Sequence, residues 1–72
     1  MVMSGKEEIR DFYGRILGYR EDAGDRIIAR DFYNRILGYY YKHEDVTKDF
    51  YNRIVAQGDA TVGLIMSAEQ DI

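Results

Sequence analysis

Apolar and polar residues follow one another in the same order three times: Asp11-Phe12-Tyr13-Gly14-Arg15-Ile16-Leu17, Asp31-Phe32-Tyr33-Asn34-Arg35-Ile36-Leu37 and Asp49-Phe50-Tyr51-Asn52-Arg53-Ile54-Val55. A phrase repeated this closely in so short a chain describes architecture before it describes chemistry. Its fourth position alternates between Gly and Asn, the two residues that best tolerate positive φ. An Asp followed three residues later by such a residue predicts a type I turn closed by a left-handed residue, the three-residue hairpin loop with a bulge. The Asp carboxylate can bond the turn amides, and Asp11 with Arg15, Asp31 with Arg35 and Asp49 with Arg53 then close the loops as cross-strand pairs.

The same residues admit a helical reading. Ile9, Phe12, Tyr13, Ile16 and Leu17 also fall at i, i+3, i+4, i+7 and i+8, Ser4 with Glu7 has capping-box spacing, and Gly18, Gly38 and Gly58 stand where helices end. Composition favours strands: Ile, Val, Tyr, Phe and Thr together far outnumber the three leucines. Nothing in a helix asks for the Gly/Asn exchange, and Gly14 in mid-helix would cost about 1 kcal/mol against Ala. The expected fold is therefore all-β, three repeated antiparallel hairpins in a toroid or meander, with three short amphipathic helices as the alternative.

In chain order the pattern predicts strands over Lys6 to Asp11 and Arg15 to Glu21, a turn at Asp22-Ala23-Gly24-Asp25, then strands over Arg26 to Arg30 and Arg35 to Tyr41. A connection at His43-Glu44-Asp45 leads to Val46 to Asp49 and Arg53 to Gln57. The repeats occupy 7–21, 27–42 and 45–58 of one domain spanning 1–72. A single bulge in each loop would put Ile9, Leu17 and Tyr19 on one face and Arg10, Ile16 and Gly18 on the other, with Ile16, Ile36 and Ile54 turned inward about a pseudo-threefold axis. The small residues Gly18, Gly38 and Ala56 predict close approach of backbone. After the turn Gln57-Gly58-Asp59, the uncharged run 60–66, Ala60-Thr61-Val62-Gly63-Leu64-Ile65-Met66, reads as a doubly buried C-terminal strand, and Ser67 to Ile72 as a fraying tail.

This rhythm resembles the β-flower families, small bacterial proteins built from short antiparallel hairpins arranged like petals. The resemblance covers roughly residues 7–58 and rests on the repeated apolar-basic-Asp, aromatic turn, Gly/Asn-Arg, two aliphatics and Gly. It implies an architecture with no established biochemical activity. Four or five copies are usual in those families, against three here.

Composition narrows the function classes. Seventy-two residues give a thin core, and the absence of cysteine removes disulfides, thiolate catalysis and the usual zinc frameworks. With one histidine, no metal or other cofactor is expected, and oligomerisation is the remaining way to stabilise a 46 % apolar chain. A net charge of −3 in mixed signs gives no footprint for nucleic acid. No run is long enough to span a bilayer and Met1 to Lys6 holds no apolar leader core, so the expected setting is cytoplasmic without membrane contact.

No catalytic residue is expected. His43-Glu44-Asp45 reads as a solvated turn, and the Asp/Arg pairs read as loop closures. The candidate contacts for a ligand or partner are Tyr13, Tyr33 and Tyr51 at the loop tips and Tyr39, Tyr40 and Tyr41 in the fourth strand. Val62, Leu64, Ile65 and Met66 are the candidate contact of a homodimer or small homo-oligomer. The expected function is a non-enzymatic interaction or assembly module, with a protein or glycan partner; the alternative is a glycan- or single-stranded-nucleic-acid-binding module that stacks ligand on tyrosine.

Overall fold

The computed structural model describes residues 5–70. Met1 to Ser4 and Asp71 to Ile72 lie outside the described residues, and with them most of the leader reading and the end of the tail reading; Ser67 to Gln70, expected to fray, are instead helical. Six strands form one antiparallel sheet in simple meander order: β1 (Lys6–Arg10), β2 (Ile16–Asp22), β3 (Arg26–Asp31), β4 (Ile36–Tyr41), β5 (Val46–Asp49) and β6 (Ile54–Gln57). The expected hairpin meander is what the chain forms. β1 and β6 are the edges of the sheet, so it is not closed into a ring.

The repeat loops have the predicted backbone. Gly14, Asn34 and Asn52 lie at φ 83°, 70° and 66°. Each donates its amide to the carbonyl of Asp11, Asp31 or Asp49, and each Asp donates its own amide to the carbonyl of Arg15, Arg35 or Arg53. Such turns favour Gly, which has no Cβ to strain at this φ, or Asn, whose short polar side chain tolerates it.

Beyond each loop the register departs from the predicted one. Arg10 pairs with Ile16 but Ile9 pairs with Gly18, leaving Leu17 as an extra residue. The same bulge recurs at Leu37 and Val55. This second irregularity moves Gly18 onto the face of Ile9, and Tyr19 onto the face of Arg10 and Ile16, which corrects the expected faces. The isoleucines do not ring an axis: Ile16 and Ile36 are half-buried and Ile54 is 64 % exposed. Leu17 instead joins Ile9, Ala29 and Ile65 in the core.

The segment 60–66 is also corrected. It belongs to a helix, α1 (Thr61–Gln70), not to a strand. Thr61, Leu64, Ile65 and Ala68 are its covered residues, at i, i+3, i+4 and i+7, and the side of Val62, Gly63 and Met66 faces outward. Asp59 caps its start, Oδ1 accepting from the Thr61 amide at 3.0 Å and from the Thr61 hydroxyl at 2.6 Å.

α1 lies across β2, β3 and β4 and supplies the cover that one face of an open sheet needs. Its seat is made by two glycines. A Cβ on Gly18 would stand 2.7 Å from Ile65 Cγ2 and collide with the Arg30 carbonyl; one on Gly38 would stand 2.7 Å from Leu64 Cδ1 and collide with the Lys48 carbonyl. Polar contacts fix both sides of the helix start. Arg20 donates to Thr61 Oγ1 (2.7 Å), Glu7 Oε1 (2.6 Å) and Asp59 Oδ2 (2.5 Å). Buried Thr47 donates to the Gly58 carbonyl (2.6 Å) and accepts from the Ala60 amide (2.8 Å).

The third repeat holds Ala56 where the others hold glycine, and no strand lies beyond β6 for its methyl to meet. Gly38→Ala should therefore cost at least about 1–3 kcal/mol, the usual range for overpacking, whereas Ala56→Gly should cost at most about 1 kcal/mol. Paired thermal melts check this, and equal losses would contradict it. Ile65 is fully buried within its own chain. Ile65→Lys should consequently abolish the cooperative melt, and a folded, monomeric Ile65→Lys variant in circular dichroism and light scattering would contradict the helix seat.

Candidate functional site

In a meander the loops after odd strands fall at one end of the sheet. The three repeat loops therefore line up as a rim, with the turns around Gly24 and His43 at the opposite end. Adjacent loops are two strands apart, about 9.5 Å at the usual strand spacing.

Each rim position is built alike. The Asp carboxylate organises the loop: Asp11 Oδ1 accepts from the amides of Tyr13 (2.8 Å) and Arg15 (3.0 Å), and Asp49 Oδ1 from those of Tyr51 and Arg53, both at 2.9 Å. Asp31 Oδ1 accepts from the Arg35 amide at 2.8 Å. The second carboxylate oxygen takes the guanidinium of Arg15, Arg35 or Arg53 at 2.8–3.0 Å. With the base of the loop so fixed, Phe and Tyr have nothing to bury against and project into solvent. The six rings Phe12, Tyr13, Phe32, Tyr33, Phe50 and Tyr51 are between 52 % and 96 % exposed.

Within each tip the two rings meet edge to face, 5.4–5.6 Å between centroids and 83–85° between planes. Arg35 covers one face of Tyr33 at 5.4 Å and Arg53 one face of Tyr51 at 5.2 Å. The result is three stiff aromatic tips, each carrying one cation already compensated by one carboxylate. From the strand that enters each loop, Arg10 and Arg30 donate to the carbonyls of Gly14 (2.6 Å) and Asn34 (3.0 Å), tying the first two tips to the sheet.

These contacts shift the carboxyls. Burial raises the pKa of Asp11, but the Arg15 amide, the Arg15 guanidinium and the Tyr13 amide outweigh it and hold the carboxyl below its ordinary value. For Asp49 the Arg53 amide contributes most, against burial, with the same outcome. Asp59 is likewise lowered, its burial outweighed by the Thr61 hydrogen bonds and by Arg20.

The other sequence-predicted contacts lie elsewhere. Tyr39 and Tyr41 share the uncovered face of the sheet, 5.9 Å apart, with Arg26 and Lys48 over their rings. Tyr19 on that face carries Lys6 in the same way. Tyr40 points to the helix side and donates to Asp45 Oδ1 at 2.7 Å, which raises its pKa. The structure thus joins Tyr13, Tyr33 and Tyr51 on one rim and separates them from Tyr39, Tyr40 and Tyr41. Of the expected oligomer contacts, Leu64 and Ile65 are engaged within the chain, and Val62 and Met66 are exposed on α1.

Phe12, Phe32 and Phe50 share the tips with the tyrosines, as the repeated phrase implies, whereas the loop arginines, expected only to close the loops, also lie beside the rings of Tyr33 and Tyr51. A shallow cleft is lined by Gly5, Lys6, Glu7, Arg20, Asp22 and Ile27, and its arginine is occupied by Glu7 and Asp59. Among the described residues no group of three His, Cys, Asp or Glu side chains is placed to hold a metal ion, and no helix is long and apolar enough to cross a membrane. No protein-family model, curated protein or solved structure matches the chain.

Because the folded-state pKa values of Asp11, Asp49 and Asp59 are depressed, their stabilising effect is complete above the unfolded value, about 3.9, and is lost as pH falls through the lower folded values. Melting temperature should hold level down to about pH 5 and drop below about pH 4. Asp11→Asn with Asp49→Asn should flatten that drop. A parent profile unchanged down to pH 2 would show that these carboxylates do not support the fold.

Proposed function

We propose that this chain is a non-enzymatic interaction module whose contact surface is the aromatic rim. The observation that carries this reading is the exposure of six rings on three tips that share one loop closure at one end of the sheet. Large rings left bare on loops held this firmly suit recognition, because little side-chain freedom is lost when they are covered. The polar groups nearest the tips are committed to loop closure, so they support positioning of rings over proton transfer. The β-flower-like rhythm fits the same reading, since it implies architecture without chemistry.

A stacking site on the open-face tyrosines is less well supported. Tyr19, Tyr39 and Tyr41 already carry a cation over the ring, and a flat ligand would have to displace it. On the rim, Arg35 and Arg53 cover one face of Tyr33 and of Tyr51, but among the described residues Tyr13 and the three phenylalanines carry no such cover. Self-association would draw on Val62 and Met66, which remain exposed on α1.

A photo-crosslinking residue placed at Tyr33 should capture a partner from a cell extract, and the same residue at His43, at the opposite end of the sheet, should not. Equal capture at both positions, or none at Tyr33, would refute the rim as the contact surface.

A further inference from the structure

The rim is more regular than recognition of an irregular surface requires. Three tips share the phrase Asp-Phe-Tyr-Gly/Asn-Arg, one left-handed turn and one edge-to-face ring geometry, and they recur at every second strand. A partner that met them as equals would present the same chemistry at the same interval, about 9.5 Å. The interval is imposed by hydrogen bonding between strands and cannot adapt, so the partner must supply the match.

Charge narrows the choice. Arg15, Arg35 and Arg53 are each paired to the aspartate of their own loop, at 2.8, 2.8 and 2.9 Å. A tip therefore brings no net charge, only ring faces beside guanidinium N–H donors. That combination suits a neutral ligand with an apolar C–H face and hydroxyl groups at its edge, which is the surface of a pyranose ring.

A twisted sheet narrows it again. Neighbouring strands are rotated by roughly 20–25°, so successive tips turn by about 40–50° along the rim. A flat bilayer or crystal face could not meet all three tips squarely. A single polymer chain, free to twist, could.

Resting on the rim as the contact surface, we propose that it binds single chains of a neutral β-1,4-linked polysaccharide, one tip to every second sugar. In such a chain successive rings are flipped, so the same ring face returns every two sugars, an interval close to two strand spacings. An α-linked chain coils and does not keep that interval. The binding is by stacking and hydrogen bonding, and no bond in the sugar is made or broken.

The test titrates the protein with β-1,4-linked glucose and N-acetylglucosamine oligomers of two, four and six sugars, following tyrosine fluorescence. An α-1,4-linked glucose hexamer and phosphatidylcholine vesicles serve as the other arms. Affinity for one β-linked series should climb by about tenfold or more at each lengthening as further tips engage, and the α-linked hexamer should be at least about tenfold weaker than its β-linked counterpart. Tyr33→Ala should weaken the β-linked hexamer by about tenfold, and Tyr33→Phe, which keeps the ring, by no more than about twofold.

Equal affinity for two and six sugars, no saturable response to either β-linked hexamer, or partition onto the vesicles in its place would overturn the proposal. Capture at Tyr33 by the crosslinking residue separates this failure from failure of the rim itself. If that capture persists while the oligomers fail, the rim is the contact surface and its ligand is of another class.

Discussion

The structure depends on a helix resting where two glycines leave no side chain. An open meander of six short strands buries little by itself, and its covered face must be closed by something thin enough to reach the backbone. Gly18 and Gly38 let neighbouring strand carbonyls and the side chains of Ile65 and Leu64 occupy the same few ångströms. Burial of Ile65 there is worth roughly 1.5–3 kcal/mol, a large share of what a domain of this size has to spare. Arg20 and Thr47 add direction to that contact, holding the helix start from β2 on one side and β5 on the other.

The repeats are alike in their loops and unlike in their strands, and the differences follow position in the sheet. Where β3 has Ile27 and Ile28, the edge strand β1 has Glu7 and Glu8, charges that discourage pairing with another chain. Where β1 and β3 place Ile9 and Ala29 on the covered face, β5 places Thr47, because the chain turns from β6 into α1 beside it and needs a hydrogen-bonding partner. The loops stay constant since each must reconcile the same left-handed residue, the same Asp and the same strand spacing. The uniformity of the rim is thus a consequence of backbone geometry before it is a property for recognition.

Much of this was legible in the residues. The Gly14/Asn34/Asn52 exchange named the turn, and the turn placed the Asp/Arg pairs and the exposed tyrosines. Gly18 and Gly38 signalled close backbone approach. What could not be read was the second bulge at Leu17, Leu37 and Val55, because a run of aliphatic residues leaves the strand register open to a slip of one residue and carries no turn residue to mark it. The segment 60–66 misled for a different reason. A seven-residue apolar run has no decisive period, and only extension through Ser67-Ala68-Glu69-Gln70 reveals the helical spacing of Thr61, Leu64, Ile65 and Ala68. Asp59 before that run was the available cue, since an Asp at that place caps a helix as readily as it makes a turn.

Ala56 carries a consequence for how such an array could have grown. A hairpin copied in tandem can follow Gly18 or Gly38, because the backbone of the newcomer fits against them, but after Ala56 the methyl stands where the next carbonyl would have to lie. One carbon atom thus serves as a full stop. Duplication in the interior of the chain lengthens the sheet and leaves its last strand untouched, whereas addition at the far edge is disfavoured while that residue keeps its methyl. The growth of the sheet at this edge is limited by a single side chain, and insertion is the open route by which the number of hairpins can increase.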